Sequence, residues 1–106
     1  METIFSKIIN KEIPSDIYYE DKVVIAIMDI NPVHEGHFLV IPKEYSKNLK
    51  DIDDKVFKYL LFKAKQLAKK KIKELNVSGF QLIINNGKES GQEVMHTHVH
   101  IIPSEK

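Results

Sequence analysis

Apolar and polar positions recur along the chain with two periods. Ile4, Phe5, Ile8 and Ile9 fall at i, i+1, i+4 and i+5, one face of a short helix over Thr3–Lys11 with Thr3 as its N-cap and Pro14 as its stop. Ile52, Val56, Leu60, Ala64, Ala68 and Ile72 recur every four residues, and Leu67 and Leu75 widen the stripe, which predicts a long helix from Asp51 to about Leu75. The remaining runs are rich in β-branched and aromatic residues. Ile17–Glu20 and Val23–Met28 read as a hairpin around Glu20-Asp21-Lys22, His37–Pro42 as a compact strand, Phe80–Ile84 as a fourth strand and Met95–Pro103 as a fifth. Five strands joined mostly by short turns, with one helical crossover, predict an α+β fold. Its sheet is antiparallel, with a long and a short helix covering one face. At 106 residues the chain is expected to be one domain over 1–106.

Between the elements, Asp29-Ile30-Asn31-Pro32 breaks the strand pattern, and Asn76 or Gly79 suits the left-handed end of the long helix. Asp51, Asp53 and Asp54 crowd the start of that helix and Lys69, Lys70, Lys71 and Lys73 its end, as the helix dipole favours. The lysine run therefore reads as a solvated helix end rather than a nucleic-acid patch. Phe57, Leu61 and Phe62 lie beyond the main stripe, which implies a second buried side or a subunit contact.

Composition narrows the partners. A formal charge of +1 with 29% charged residues gives no global field for nucleic acid. The absence of cysteine excludes disulfides and thiolate-bound zinc, and it permits an intracellular, cytoplasmic location. Met1-Glu2-Thr3-Ile4-Phe5-Ser6-Lys7 lacks the pattern of a secretion leader, and no run approaches the ~18 apolar residues of a membrane span. All 16 basic residues are lysine. Any phosphate must then be handled without the bidentate guanidinium fork, by imidazoles, amides and backbone N–H groups.

Three of the five histidines, His96, His98 and His100, alternate with Thr97, Val99 and Ile101. On a strand the imidazoles share one face and the β-branched side chains the other. Imidazole titrates near neutrality, so a row of three offers a nucleophile, an acid and a base, the parts of a covalent transfer reaction. A zinc site is the rival, but His96 and His100 would stand about 13 Å apart at ~3.3 Å per residue and converge poorly on one ion. A purification tag would be a contiguous run instead. His37, at a strand start, is either a structural histidine or a partner of this cluster, and His34 reads as a loop histidine. The polar loop Asn85–Glu93, with two glycines, exposes N–H groups suited to an anion and leads directly to His96.

His96-Thr97-His98-Val99-His100-Ile101-Ile102 resembles the signature of the histidine triad nucleotide-binding family. Ile4-Phe5, Lys7-Ile8-Ile9, Lys11-Glu12-Ile13-Pro14, Asp29-Ile30 with Pro32, His37–Lys43 and Gly91-Gln92 resemble its Hint branch in order along the whole chain. The resemblance implies a sheet continued across a homodimer. It also implies hydrolysis of purine nucleoside phosphoramidates or related adenylates at the α-phosphate, with an AMP-like product. By it, His98 is the nucleophile, His100 contacts the phosphate and assists proton delivery, and His96 and His37 form the supporting hydrogen-bond shell. Asp29 corresponds to the ribose-binding acid, with Ile30 beside it. Asn85 and Gly91-Gln92-Glu93 correspond to phosphate-side contacts, and Ile4, Phe5, Ile8 and Ile27 to the apolar base slot. No cofactor is required. A nucleotide-binding scaffold with vestigial hydrolysis is the alternative of a different class, and a zinc protein using histidines alone is a third.

The departures are informative. Thr3, Ser6 and Tyr45 stand where some relatives hold structural zinc with two cysteines and a histidine, so no metal is expected. Glu93 replaces a serine that faces phosphate in some relatives, and its carboxylate repels an anion unless it turns away. The chain ends at Lys106, four residues after the motif, so the longer tail that shapes substrate choice in some relatives is expected to be missing.

Overall fold

The computed structural model describes residues 2–106; Met1, the first residue of the segment read for a leader, lies outside them. Helix α1 (Ile4–Ile9) leads into strands β1 (Ile17–Glu20), β2 (Val24–Met28) and β3 (Phe38–Pro42). Helix α2 (Asp54–Leu75), strand β4 (Phe80–Ile83), a one-turn 3-10 helix (Lys88–Ser90) and strand β5 (Val99–Pro103) follow. The five strands form one antiparallel sheet in the order β1-β2-β3-β5-β4.

The helices lie on opposite faces of the sheet, not on one face as the sequence suggested. Val24 and Ala26 of β2, Phe38 and Val40 of β3, and Val99 and Ile101 of β5 pack with Leu60, Ala64, Leu67 and Ala68 of α2. The alternate residues Ile25, Ile27, Leu39 and Ile41 pack with Phe5 and Ile8 of α1. β2 and β3 are therefore covered on both sides, which is why they read as continuous apolar runs rather than as alternating ones.

α1 is held by a capping box, in which the Ser6 N–H donates to Thr3 Oγ1 (3.3 Å) and the Thr3 N–H to Ser6 Oγ (2.6 Å). It stops at Ile9, well before Pro14, because Lys11 turns left-handed at φ 62°. α2 starts at Asp54, not Asp51, since Asp53 is the residue whose carboxylate accepts from the Lys55 and Val56 N–H groups. Asn76 takes the left-handed C-terminal position, at φ 58° and ψ 48°. Part of the lysine run is engaged rather than simply solvated. Lys71 Nζ lies 3.9 Å from the Tyr18 ring centroid and 3.4 Å from Glu74, which fastens β1 to α2. Among the described residues no helix is long and apolar enough to cross a membrane.

Candidate active site

Strand register builds the floor of a cleft. Ile27 pairs with Leu39, Leu39 with His100 and His100 with Ile83, so one cross-strand row runs through β2, β3, β5 and β4 on the face that α2 leaves uncovered. α1 and the loops 29–37 and 84–94 wall this row into a cleft of about 600 Å³.

The fifth strand is shorter than the alternation implied. Pairing with β3 begins only at Val99, so His96 and His98 precede the strand in a bent segment. That segment is anchored by side contacts instead. The Thr97 N–H donates to the Ser46 carbonyl at 2.8 Å, and the two hydroxyls meet at 2.7 Å. Phe5 meets both preceding rings edge-on, at 6.1 Å from His96 and 4.9 Å from His98.

Hydrogen bonds assign a tautomer to each ring. His98 Nδ1 lies 2.8 Å from the His96 carbonyl, which can only accept, so Nδ1 carries the proton and Nε2 keeps its lone pair. The Val33 N–H donates to His37 Nδ1 at 3.1 Å, leaving the proton of neutral His37 on Nε2. That Nε2–H reaches His100 Nδ1 at 3.0 Å, which in turn puts the His100 proton on Nε2. His96 donates Nε2–H to the Pro42 carbonyl at 2.8 Å, and its buried Nδ1 has no partner. Burial pushes all four rings down from the ordinary histidine range. The neighbouring His34 adds to this at His37, His98 at His96, His100 at His98 and His37 at His100, while nearby carboxylates act the other way at every ring but His96. The rings of His98 and His100 stand 5.0 Å apart, presenting a lone pair and a proton donor side by side.

Of the residues singled out from the sequence, Ile4, Phe5, Ile8, Ile27, Asp29, Ile30, Asn85, Gly91 and Glu93 line the cleft with His37, His98 and His100. His96 and Gln92 do not. Gln92 is 3% exposed and spends its whole amide inside the protein. Its Oε1 accepts from Gly87 N–H and Asn48 Nδ2, and its Nε2 donates to the Lys47 and Val94 carbonyls. It is a strut for the 84–94 loop, and its side chain has nothing left for a ligand. Asp29 does two things at once: Oδ1 accepts from the Asn31 N–H at 2.8 Å, the turn role, while Oδ2 lies 3.4 Å from His37 Nε2. His34 instead faces the Pro103 carbonyl and the Glu105 carboxylate, outside the cleft lining. The main-chain groups of Val33, Pro42 and Ser46 were missed, since no side-chain pattern signals them.

Two metal arrangements can be tested against the donor sets. Asp29, His37 and His100 bring three ligand atoms within 4.8 Å. A metal on His37 Nε2 would move that ring's proton to Nδ1, where the Val33 N–H already donates, so the second shell opposes it. At the positions that match the zinc ligands of some relatives, the Thr3 and Ser6 hydroxyls are closed into the capping box and Tyr45 packs edge-on against His96 at 5.3 Å. These residues do not fit zinc.

Residues 10–106 match the HIT domain family. A 13.1 kDa HIT-like protein of Mesomycoplasma hyorhinis is 50% identical over 102 residues, covering 96% of this chain and 92% of that protein. The adenosine 5'-monophosphoramidase of Saccharomyces cerevisiae is 43% identical over 100 residues, covering 94% of this chain and 61% of the yeast protein. The crystal structure of a HIT-like protein from Bartonella henselae superposes with a TM-score of 0.95 at 42% identity, covering 99% of this chain and 80% of that one.

Proposed function

The chain belongs to the HIT domain family, and from that premise we propose that it hydrolyses purine nucleoside phosphoramidates or related adenylates at the α-phosphate, as a single-domain cytoplasmic homodimer. The yeast relative named an adenosine 5'-monophosphoramidase supports this substrate class. The observation that carries the reading is the pair of fixed tautomers, an unprotonated His98 Nε2 beside a protonated His100 Nε2 in a cleft of nucleotide size.

In the proposed reaction His98 Nε2 bonds to phosphorus as the bond from phosphorus to the leaving amine breaks. The His100 Nε2–H donates to the phosphoryl oxygens and then to the departing nitrogen. Water next attacks the nucleotidyl-histidine and gives up a proton to His100 Nε2, releasing the nucleoside monophosphate and restoring both rings. Asp29 holds the ribose, and Ile4, Phe5, Ile8, Ile27 and Ile30 hold the base. Asn85 and the main chain of Gly91-Gln92-Glu93 face the phosphate. His37 and His96 are positioning residues, the first for the His100 proton and the second for His98 through its carbonyl. Incubation with adenosine 5'-phosphoramidate should yield AMP, and His98→Ala should lower kcat/KM by about 10³-fold or more, given what loss of a nucleophile does to other enzymes. No AMP from the wild type, or equal rates from both, would overturn the reading. A binding scaffold is the second reading, favoured by the half-exposed Phe62 on α2; AMP binding without turnover would establish it.

A further inference from the structure

We propose that Glu93 makes the cleft selective for leaving groups that carry a positive charge. The inference rests on the phosphoramidate reading and adds a substrate subclass to it.

Among the described residues lining the cleft, the charged side chains are Asp29 and Glu93, and no lysine is present. The other polar side chains of the lining are neutral: Ser15, Asn31, Asn85 and three imidazoles, each with its proton fixed as described. A phosphate group entering this space therefore meets two carboxylates and no permanent cation. Asp29 is held in place, one oxygen accepting from the Asn31 N–H and the other beside His37, which leaves it acceptor positions for the ribose. Glu93 is exposed and has no hydrogen-bond or ion-pair partner among the described residues. It sits two residues beyond Gly91, and its field reaches both His98 and His100.

A free carboxylate at that place repels every phosphate to a similar degree and so does not by itself discriminate. Discrimination comes from the rest of the substrate. An ammonium a few bonds beyond phosphorus offsets the repulsion, whereas a carboxylate there doubles it. The favoured class is thus nucleoside 5'-phosphoramidates or acyl phosphates whose leaving group bears an amine that stays protonated. A carboxylate at the surface acts through partly screened water, so the contrast between cationic and anionic leaving groups is about ten- to hundredfold in kcat/KM.

Three adenosine phosphoramidates test this: one made with a diaminoalkane, one with the matching alkylamine and one with the matching amino acid. For the wild type the order should be cationic, neutral, anionic. In Glu93→Gln the ratio of cationic to anionic probe should fall to near one, and Glu93→Asp should recover part of it. Raising salt from about 0.01 M to about 1 M, which shortens the Debye length from ~30 Å to ~3 Å, should shrink the wild-type ratio as well. A wild-type ratio near one, or a ratio that Glu93→Gln leaves in place, overturns the proposal. If no probe is hydrolysed, the hydrolase reading has failed separately. The same comparison is then made on binding affinities by calorimetry, where a cationic preference lost in Glu93→Gln supports the role of Glu93 and its absence refutes it.

Discussion

His98, His96 and His37 each owe their proton position to a neighbour that cannot change roles, a carbonyl for the first two and a backbone N–H for the third, and His37 in turn sets that of His100. Burial lowers all four pKa values, so the neutral forms that the proposed chemistry needs persist through neutral pH. The acid limb of kcat/KM should accordingly have its midpoint below the ordinary histidine value of about 6.5; a midpoint at or above that value would contradict the assignment. The same shifts bear on stability. Unfolded histidines take up protons near pH 6.5 and the folded ones only lower, so the stabilisation is complete above about 6.5 and declines as pH falls below it. Chemical denaturation at a series of pH values checks this. Gln92 gives a second expectation at this scale: Gln92→Ala strands the Gly87 N–H and the Lys47 and Val94 carbonyls, costing about 2–5 kcal/mol in urea unfolding. The spacing of His96, His98 and His100 was legible in the sequence because side-chain chemistry and period are written there. The roles of the Val33 N–H and the Pro42 carbonyl were not, since every residue has such groups and only the fold aims them.

Among the elements, periodicity told which face a side chain takes but not whether a partner strand lies alongside. β3 runs on to Pro42, but it pairs with β5 only through Phe38–Val40, because the chain before Val99 is turned to other partners, the Thr97 N–H to the Ser46 carbonyl among them, although the alternation continues back to His96. The apolar stripe of α2 was equally clear, yet three aspartates competed to start it and hydrogen bonding selected Asp53. The placement of α1 opposite α2 was hidden because a short amphipathic helix fits either face until the connections are known. One junction yields a sharp expectation. Gly36 has φ +86°, and a Cβ there would come within 2.5 Å of Leu75 Cδ1, at the end of α2. Gly36→Ala should cost about 1–3 kcal/mol and, by displacing the adjacent His37, lower kcat more than KM. Thermal unfolding and steady-state kinetics together measure both effects.

For the molecule as a whole, the order β1-β2-β3-β5-β4 leaves two edges. β1 is interrupted by an irregular register between Ile17 and Tyr19, a feature that discourages further pairing, whereas β4 is regular and presents Leu82 at 38% exposure. A homodimer that continues the sheet is therefore expected to form through β4, and Leu82→Lys should turn it into a monomer in sedimentation equilibrium. A wild-type monomer would refute that arrangement. The cross-strand row described above carries a further consequence. His100, in that row, is bolted to a sheet covered on its far side by α2, and His98, one residue before the strand, is held by the bonds of Thr97 to Ser46, while Glu93, Asn85 and Ile30 sit on other connecting segments. The proposed reactive pair and the proposed selectivity rim thus hang on different supports, so grafting rim loops from a sister protein ought to redirect selectivity while the engine keeps running.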